Sequence, residues 1–286
     1  MEEGIVLKKA GVIGAGVMGS GIVQVLLQSG WEVSLCDVSE AVADAGRGKI
    51  AAALQKLVDR GKLEEHSRDK MLSNLSVFGQ ISGLESCSIV IEATAEHIDT
   101  KMQLFRDLSE KVSKDCILAS NTSSLSITQI ASAVTYSERV IGMHFFNPAP
   151  VMSLVEVIKG ACTSDVVAKQ TIAVARDLGK TPIELSESAG FIVNRLLVPM
   201  INEAAGLFAE NVADAKSIDT AMQLGCNHPM GPLALADMIG LDIIQNVMLT
   251  LQDEFGDDKY RVHPIIKKMV RAGHLGVKTK KGFYEY

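Results

Sequence analysis

The chain has 286 residues, enough for one large or two modest domains, and 47% of them are hydrophobic, which suffices for a sizeable core. A formal net charge of -6 implies no overall basic surface and argues against nucleic acid as a general partner, while leaving room for a local basic patch toward a phosphorylated ligand. The five cysteines, Cys36, Cys87, Cys116, Cys162 and Cys226, contain no CxxC pair, so the reading is reduced thiols in a cytoplasmic protein, with neither a disulfide frame nor a bound metal.

The opening MEEGIVLKK has neither an apolar signal region nor an Arg/Ser-rich transit character. No apolar run reaches membrane-spanning length; even 189–201 is broken by Asn194 and Arg195. The expectation is a soluble, cytoplasmic chain. A short strand over 10–13 runs into Gly14-Ala15-Gly16-Val17-Met18-Gly19, a helix follows through Gln28, and Gly30 closes it. The next strand, 31–36, ends on Asp37. A GxGxxG between a strand and a helix, with an acid at the end of the second strand, is the spacing of a Rossmann dinucleotide unit. Gly14 and Gly16 would let the backbone approach a pyrophosphate at the helix N-terminus, and Asp37 would bind the adenosine ribose hydroxyls. Val38 and Ser39 follow, with no Arg for a 2′-phosphate, which favours NAD over NADP.

Residues 39–62 read as one long helical stretch, with Lys49, Lys56 and Arg60 on one face. On spacing alone that is a solvated charged face. Strands over 75–78, 88–91 and 116–119 then alternate with helices over 98–111 and 126–133, a rhythm that predicts a parallel, doubly wound sheet. Ligands in such sheets sit beyond the carboxyl ends of the strands. Glu92 to Glu96, with Lys101 on the following helix, and Ser120 to Ser124 fall there. Polar residues such as Asn121 to Ser124 also commonly cap a helix, so both roles stay open.

In 139–160, RVIGMHFFNPAPVMSLVEVIKG, a strand from Val140 ends on His144 and two phenylalanines. Asn147-Pro148-Ala149-Pro150 imposes a rigid turn, because each proline fixes its own φ and restricts the residue before it. The returning strand Leu154 to Ile158 is apolar except for Glu156, a carboxylate that is costly to bury without a partner. His144, across the turn, is the candidate. A carboxylate that fixes an imidazole's tautomer and stabilises its protonated form makes it a competent acid/base near neutral pH. A structural His with a solvent-facing Glu is the alternative.

A helix over 165–178 and a strand over 181–185 complete the sheet, and the polar 185–190 is the candidate linker. From Gly190 the pattern is helical: 191–209, 214–224, 233–254 and 262–272. Asn194 lies among apolar residues in the first of these. His228-Pro229-Met230-Gly231-Pro232 and Leu235-Ala236-Asp237 read as a turn and helix start.

HFFNPxPxMxLVEV over 144–157, GFIVNRLL over 190–197 and GVKTKKGFY over 276–284, with the glycine loop and the 92–124 motifs, resemble the 3-hydroxyacyl-CoA dehydrogenases, in their short-chain 3-hydroxybutyryl-CoA form. The resemblance runs through essentially the whole chain. It departs at Lys280, where the family usually has glycine. It implies an α/β fold: a Rossmann-type doubly wound domain over 1–186, carrying a helical arm over 39–73, then a smaller all-α domain over 187–286. It implies NAD-dependent, reversible oxidation of an (S)-3-hydroxyacyl-CoA to the 3-ketoacyl-CoA. His144 would be the general acid/base and Glu156 its orienting partner, while Ser123 and Asn194 would hold the reacting oxygen. Gly14, Gly16, Val17, Met18, Gly19, Asp37, Asn147 and Lys278 would bind the cofactor, with Glu96 and Lys101 near its nicotinamide ribose and Ser123 between cofactor and substrate hydroxyl. Lys56 and Arg60 would contact the CoA of an acyl-CoA thioester, and the helical domain would form a homodimer. The alternatives are a related dehydrogenase of a non-CoA hydroxy or sugar acid, and a non-catalytic NAD-binding structural protein.

Overall fold

Short apolar runs bounded by glycines and polar turns become the strands of one eight-stranded sheet. The computed structural model describes residues 8–286; the N-terminal reading, MEEGIVL, lies outside them. Contacts divide the chain into two units, one through Glu187 and one from Ser188 to Tyr286.

In the first unit β1 (Lys9–Ile13), α1 (Val17–Gln28) and β2 (Glu32–Cys36) form the glycine-loop unit. The helical arm is α2 (Glu40–Asp59), the long helix expected over 39–62, followed by α3 (Glu65–Ser73). Gly61, at φ 66, ends α2, and the N–H groups of Gly61 and Lys62 turn back to Val58 and Leu57. Arg60 is therefore the C-cap residue of α2, while Lys56 lies in its last turn. Then come β3 (Leu75–Phe78), β4 (Ile89–Glu92), α4 (Ile98–Lys111), β5 (Ile117–Ser120), α5 (Ile127–Ala131), β6 (Val140–Phe145), β7 (Leu154–Lys159), α6 (Asp165–Asp177) and β8 (Thr181–Ser186).

The strand order is β3-β2-β1-β4-β5-β6-β7-β8. β1 to β6 are mutually parallel, as the alternating pattern predicts, but β7 is antiparallel to β6, and β8 runs with β7. The reason is the connection 146–153, which is too short for the crossover of about a dozen residues that a parallel return requires. The order reverses between β1 and β4, the switch point at which such sheets bind ligands. Val12 of β1, Leu35 of β2 and Ile91 of β4 pack with Ile22 and Leu26 of α1 in the core, each fully buried.

The second unit is α7 (Val193–Ala209), α8 (Ala215–Cys226), α9 (Pro232–Ile239), α10 (Leu241–Phe255) and α11 (Pro264–Arg271) around Ile201, Leu233, Leu241, Ile244 and Leu251. The helix expected over 233–254 is two helices bent by 97° at Gly240, whose φ of 106 belongs to glycine. Two buried carboxylates organise this unit. Asp219 accepts from the N–H groups of Leu233 (2.7 Å) and Ala234 (2.9 Å) and from the Tyr284 hydroxyl (2.6 Å). Asp237 accepts from the N–H groups of Phe283 and Tyr284, both at 2.9 Å. Burial pushes the carboxyl of Asp237 above the usual range despite those donors. Lys280 sits at φ 58, the left-handed region where a side chain costs about 1–2 kcal/mol, so the chain keeps a glycine conformation there without the glycine. No single helix among the described residues is long and apolar enough to cross a membrane.

Candidate active site

The three glycines of the loop are not equivalent. Gly14 has φ 101, and a Cβ there would lie 2.5 Å from the Ala93 carbonyl oxygen. A Cβ on Gly19 would lie 1.7 Å from the carbonyl oxygen of Gly14. Those two glycines are dictated by the protein's own packing. Gly16 is not: it has an ordinary φ of -71, and a Cβ would meet nothing within 4 Å. It is the N-cap residue of α1, which no side chain caps and whose first turn carries no acid. Open space before unpaired helix N–H groups is what a pyrophosphate requires, so these residues fit a dinucleotide. Val17 and Met18 form the first turn beside it. Asp37 closes the loop, accepting from Ala15 N–H through Oδ2 (2.6 Å) and from Val38 N–H through Oδ1 (2.7 Å). Each oxygen retains a lone pair for a ribose hydroxyl. Ser39 caps α2 through Val42 N–H.

At the carboxyl end of β4, Glu92 is 0% exposed. Its Oε1 accepts from Thr94 N–H (2.6 Å), the Thr94 hydroxyl (2.6 Å) and Lys101 Nζ (2.5 Å), and its Oε2 accepts from the Ser120 hydroxyl at the end of β5 (2.7 Å). The Lys101 ammonium is 1% exposed and also lies 3.5 Å from Glu96 Oε2. The Lys101 ammonium is thus buried beside Glu96, whose side chain is 37% exposed. Glu96 Oε1 gathers the 122–124 turn through the Thr122 hydroxyl (2.6 Å), Ser123 N–H (2.9 Å), the Ser123 hydroxyl (3.2 Å) and Ser124 N–H (3.2 Å). Burial pushes the carboxyl of Glu96 up, but Lys101 and the Thr122 and Ser123 donors outweigh it and hold it below the usual range. The helix-capping role considered for Asn121 to Ser124 belongs instead to Ser126, whose side chain caps α5.

β6 ends this row. In the β6–β7 ladder His144 is directly opposite Glu156, and His144 Nδ1 lies 2.8 Å from Glu156 Oε2. Both side chains are buried, the ring at 6% and the carboxylate at 1% residue exposure. An ionised carboxylate only accepts, so Nδ1 is the donor in this contact, and in the neutral tautomer that fits it the lone pair is on Nε2. Phe146 packs on the imidazole with ring centroids 4.6 Å apart. The β5–β6 register ends at Ser120 and Gly142, and beyond it Asn121 Oδ1 substitutes for a backbone acceptor, taking the Phe145 N–H at 2.8 Å. Asn147 follows, exposed, in the turn.

The fold therefore gathers Gly14, Gly16, Gly19, Asp37, Glu96, Ser123, His144 and Asn147 at the carboxyl ends of adjacent parallel strands. Lys56 and Arg60 are exposed at the end of α2. In the second unit Asn194 is half-buried in the first turn of α7, and the Lys278 ammonium donates to both oxygens of Asp242, at 2.5 and 2.6 Å. The sequence reading did not assign Glu92 as the buried hub or Asn121 as the anchor of β6. The signal for Glu92 was present: like Glu156, it is an acid within an otherwise apolar strand.

The pattern described as 3-hydroxyacyl-CoA dehydrogenase, NAD binding domain, matches residues 9–188, and the one described as 3-hydroxyacyl-CoA dehydrogenase, C-terminal domain, matches 190–286. The chain belongs to the 3-hydroxyacyl-CoA dehydrogenase family. As a member it is an NAD-dependent oxidoreductase, and its Rossmann-type sheet followed by a helical unit is that family's fold. It is 48% identical to the 3-hydroxybutyryl-CoA dehydrogenase of Clostridioides difficile, over 97% of this chain and 99% of that one. It is 38% identical to the mitochondrial hydroxyacyl-coenzyme A dehydrogenase of Homo sapiens, over 99% of this chain and 92% of that one. A solved (S)-3-hydroxybutyryl-CoA dehydrogenase from Ralstonia eutropha superposes with a TM-score of 0.95 at 45% identity, covering 98% of this chain and 99% of the other.

The glycine geometry separates cofactor binding from folding. Gly16→Ala should leave the thermal midpoint within about 2 °C of wild type, while weakening NADH about tenfold or more in a fluorescence titration. Gly19→Ala, which collides with the Gly14 carbonyl, should cost about 1–3 kcal/mol or more in chemical denaturation. Equal behaviour of the two variants would refute the distinction.

Proposed function

We propose that this dehydrogenase interconverts (S)-3-hydroxybutyryl-CoA and acetoacetyl-CoA, with His144 as general acid/base and Glu156 as its orienting partner. The observation that carries this reading is the buried 2.8 Å contact between His144 Nδ1 and Glu156 Oε2, set by strand register. NAD, held at Gly14, Gly16, Val17, Met18, Gly19 and Asp37 with Glu96, Asn147 and Lys278 toward its nicotinamide end, supplies the hydride acceptor when bound. Lys101 supports it from behind, through Glu96.

In oxidation His144 Nε2 takes the C3 hydroxyl proton, and the imidazolium that forms is stabilised by Glu156. In reduction Nε2 returns that proton to the developing alkoxide. Ser123 and Asn194 hold the reacting oxygen, a positioning role that lowers the entropic part of the barrier. Lys56 and Arg60 pair with phosphates of CoA; both are exposed, as a phosphate contact requires.

The chain acts as a cytoplasmic homodimer through its helical unit. Leu196 and Leu207, exposed at 71% and 37%, fall within about 20° of arc on α7, and the N-cap residue Ile192 is 42% exposed, a row of apolar surface that a second copy would cover.

With acetoacetyl-CoA and NADH followed at 340 nm, His144→Gln should lower turnover by about 10²–10⁴-fold without changing NADH affinity. A near-native rate would remove His144 from the chemistry. Replacing Lys56 and Arg60 together by Glu should raise KM for the CoA thioester and leave KM for NADH unchanged; an unchanged thioester KM would place CoA elsewhere. Light scattering should give twice the chain mass for the wild type and the single-chain mass for Leu196→Asp. A monomeric wild type would overturn the dimer.

A further inference from the structure

The turn that joins β6 to β7 is gripped from outside its own hairpin. Within it the Pro148 carbonyl accepts from both Val151 N–H (2.9 Å) and Met152 N–H (3.0 Å). The carbonyls of Ala149 and Met152 are taken by one group, the Lys180 ammonium, at 2.7 and 2.9 Å. On another side α1 leans on the same turn: a Cβ on Gly21 would lie 3.2 Å from Ala149 Cβ and 3.3 Å from Pro150 Cδ. Ala149 is 1% exposed between them.

Lys180 is itself held before its side chain reaches out. α6 ends in a Schellman arrangement, in which Gly179 at φ 68 donates to the Arg176 carbonyl (2.9 Å) and Lys180 N–H donates to Ala175 (3.0 Å). The next N–H, of Thr181, donates to the Ser153 carbonyl at 2.7 Å. The lysine thus stands on a fixed backbone with its stem half-buried. Burial holds its pKa below the usual lysine range. A partly buried ammonium that bonds two carbonyls of a single turn fixes the shape of that turn.

We propose that Lys180 is a positioning residue for the cofactor, holding the 146–153 turn in the shape that presents Asn147 and the end of β6 without itself touching cofactor or substrate. This rests on the reading that Asn147 faces NAD. The strands on either side of the turn pair through their own ladders, Gly142 to Phe145 with Ile158 to Val155 and Leu154 to Lys159 with Thr181 to Ser186. Removing the ammonium therefore frees the turn and spares the sheet.

The test uses the full chain, with NADH as the probe. Lys180→Met should raise the NADH dissociation constant by about 5- to 30-fold, the loss of one or two carbonyl contacts expressed as a ratio. The thermal midpoint should stay within about 2 °C of wild type, and KM for acetoacetyl-CoA within about twofold. Lys180→Arg, whose guanidinium can bridge both carbonyls, should restore NADH affinity. Unchanged NADH affinity in Lys180→Met overturns the inference, whatever Asn147→Ala does. Unchanged affinity in Asn147→Ala is a separate failure, that of the Asn147 assignment. A fall in affinity that tracks a fall in thermal midpoint, unrescued by Arg, leaves Lys180 a purely structural role and also overturns the proposal. Should Lys180→Met not fold, Lys180→Gln, which keeps a donor for one carbonyl, takes its place under the same criteria.

Discussion

A lysine ammonium and a glutamate carboxylate, neither more than 1% exposed, face each other at 2.5 Å at the carboxyl end of β4. Taking two charges out of water costs several kcal/mol per ion, and their attraction repays this only when the remaining lone pairs and protons are satisfied. Here they are. Glu92 adds both donors of Thr94 and the Ser120 hydroxyl, and Lys101 adds Glu96. The consequence reaches past the pair itself. Through Ser120 it fixes the end of β5, and through Glu96 it fixes the 122–124 turn that carries Ser123. Breaking one partner would leave an uncompensated buried charge, at about 3–5 kcal/mol, just where the strand order reverses. The pair therefore sets the rigid floor on which the exposed groups of the site are mounted.

Much of this was legible in the chain, and for identifiable reasons. The glycine loop and Asp37 were readable because their spacing is imposed by local backbone geometry. His144 and Glu156 were readable because a lone acid in an apolar strand needs a partner, and the turn supplies one by proximity. What was not legible depends on contacts distant in sequence. Glu92 pairs with Lys101 across a helix start, Asn121 takes the N–H of Phe145, and Lys180 reaches back to Ala149 and Met152. No period or motif encodes such pairings. The bend at Gly240 is hidden for a different reason: apolar spacing continues across it, and a positive φ marks the change of direction.

The two kinds of glycine in the loop also show what a motif means physically. Gly14 and Gly19 would be required in a protein that bound nothing, since the Ala93 and Gly14 carbonyls forbid a side chain. Gly16 has no such reason within the protein. A pattern match counts all three alike, while the space around each one separates packing from recognition. Lys280 makes the converse point: its backbone keeps the left-handed turn of the closing motif although its side chain departs from that motif.

The antiparallel pairing of β6 with β7 places His144 and Glu156 at one rung of a two-stranded ladder. Side chains along a strand alternate between faces with a period of two, so the dyad depends on the parity of the connection as much as on the two residues. A single-residue deletion anywhere in 146–153 would carry Glu156 to the opposite face of the sheet and bring Val155 or Val157 level with the imidazole. An exposed turn is ordinarily the stretch where a protein gains and loses residues most freely; here the register of the two strands it joins constrains its length.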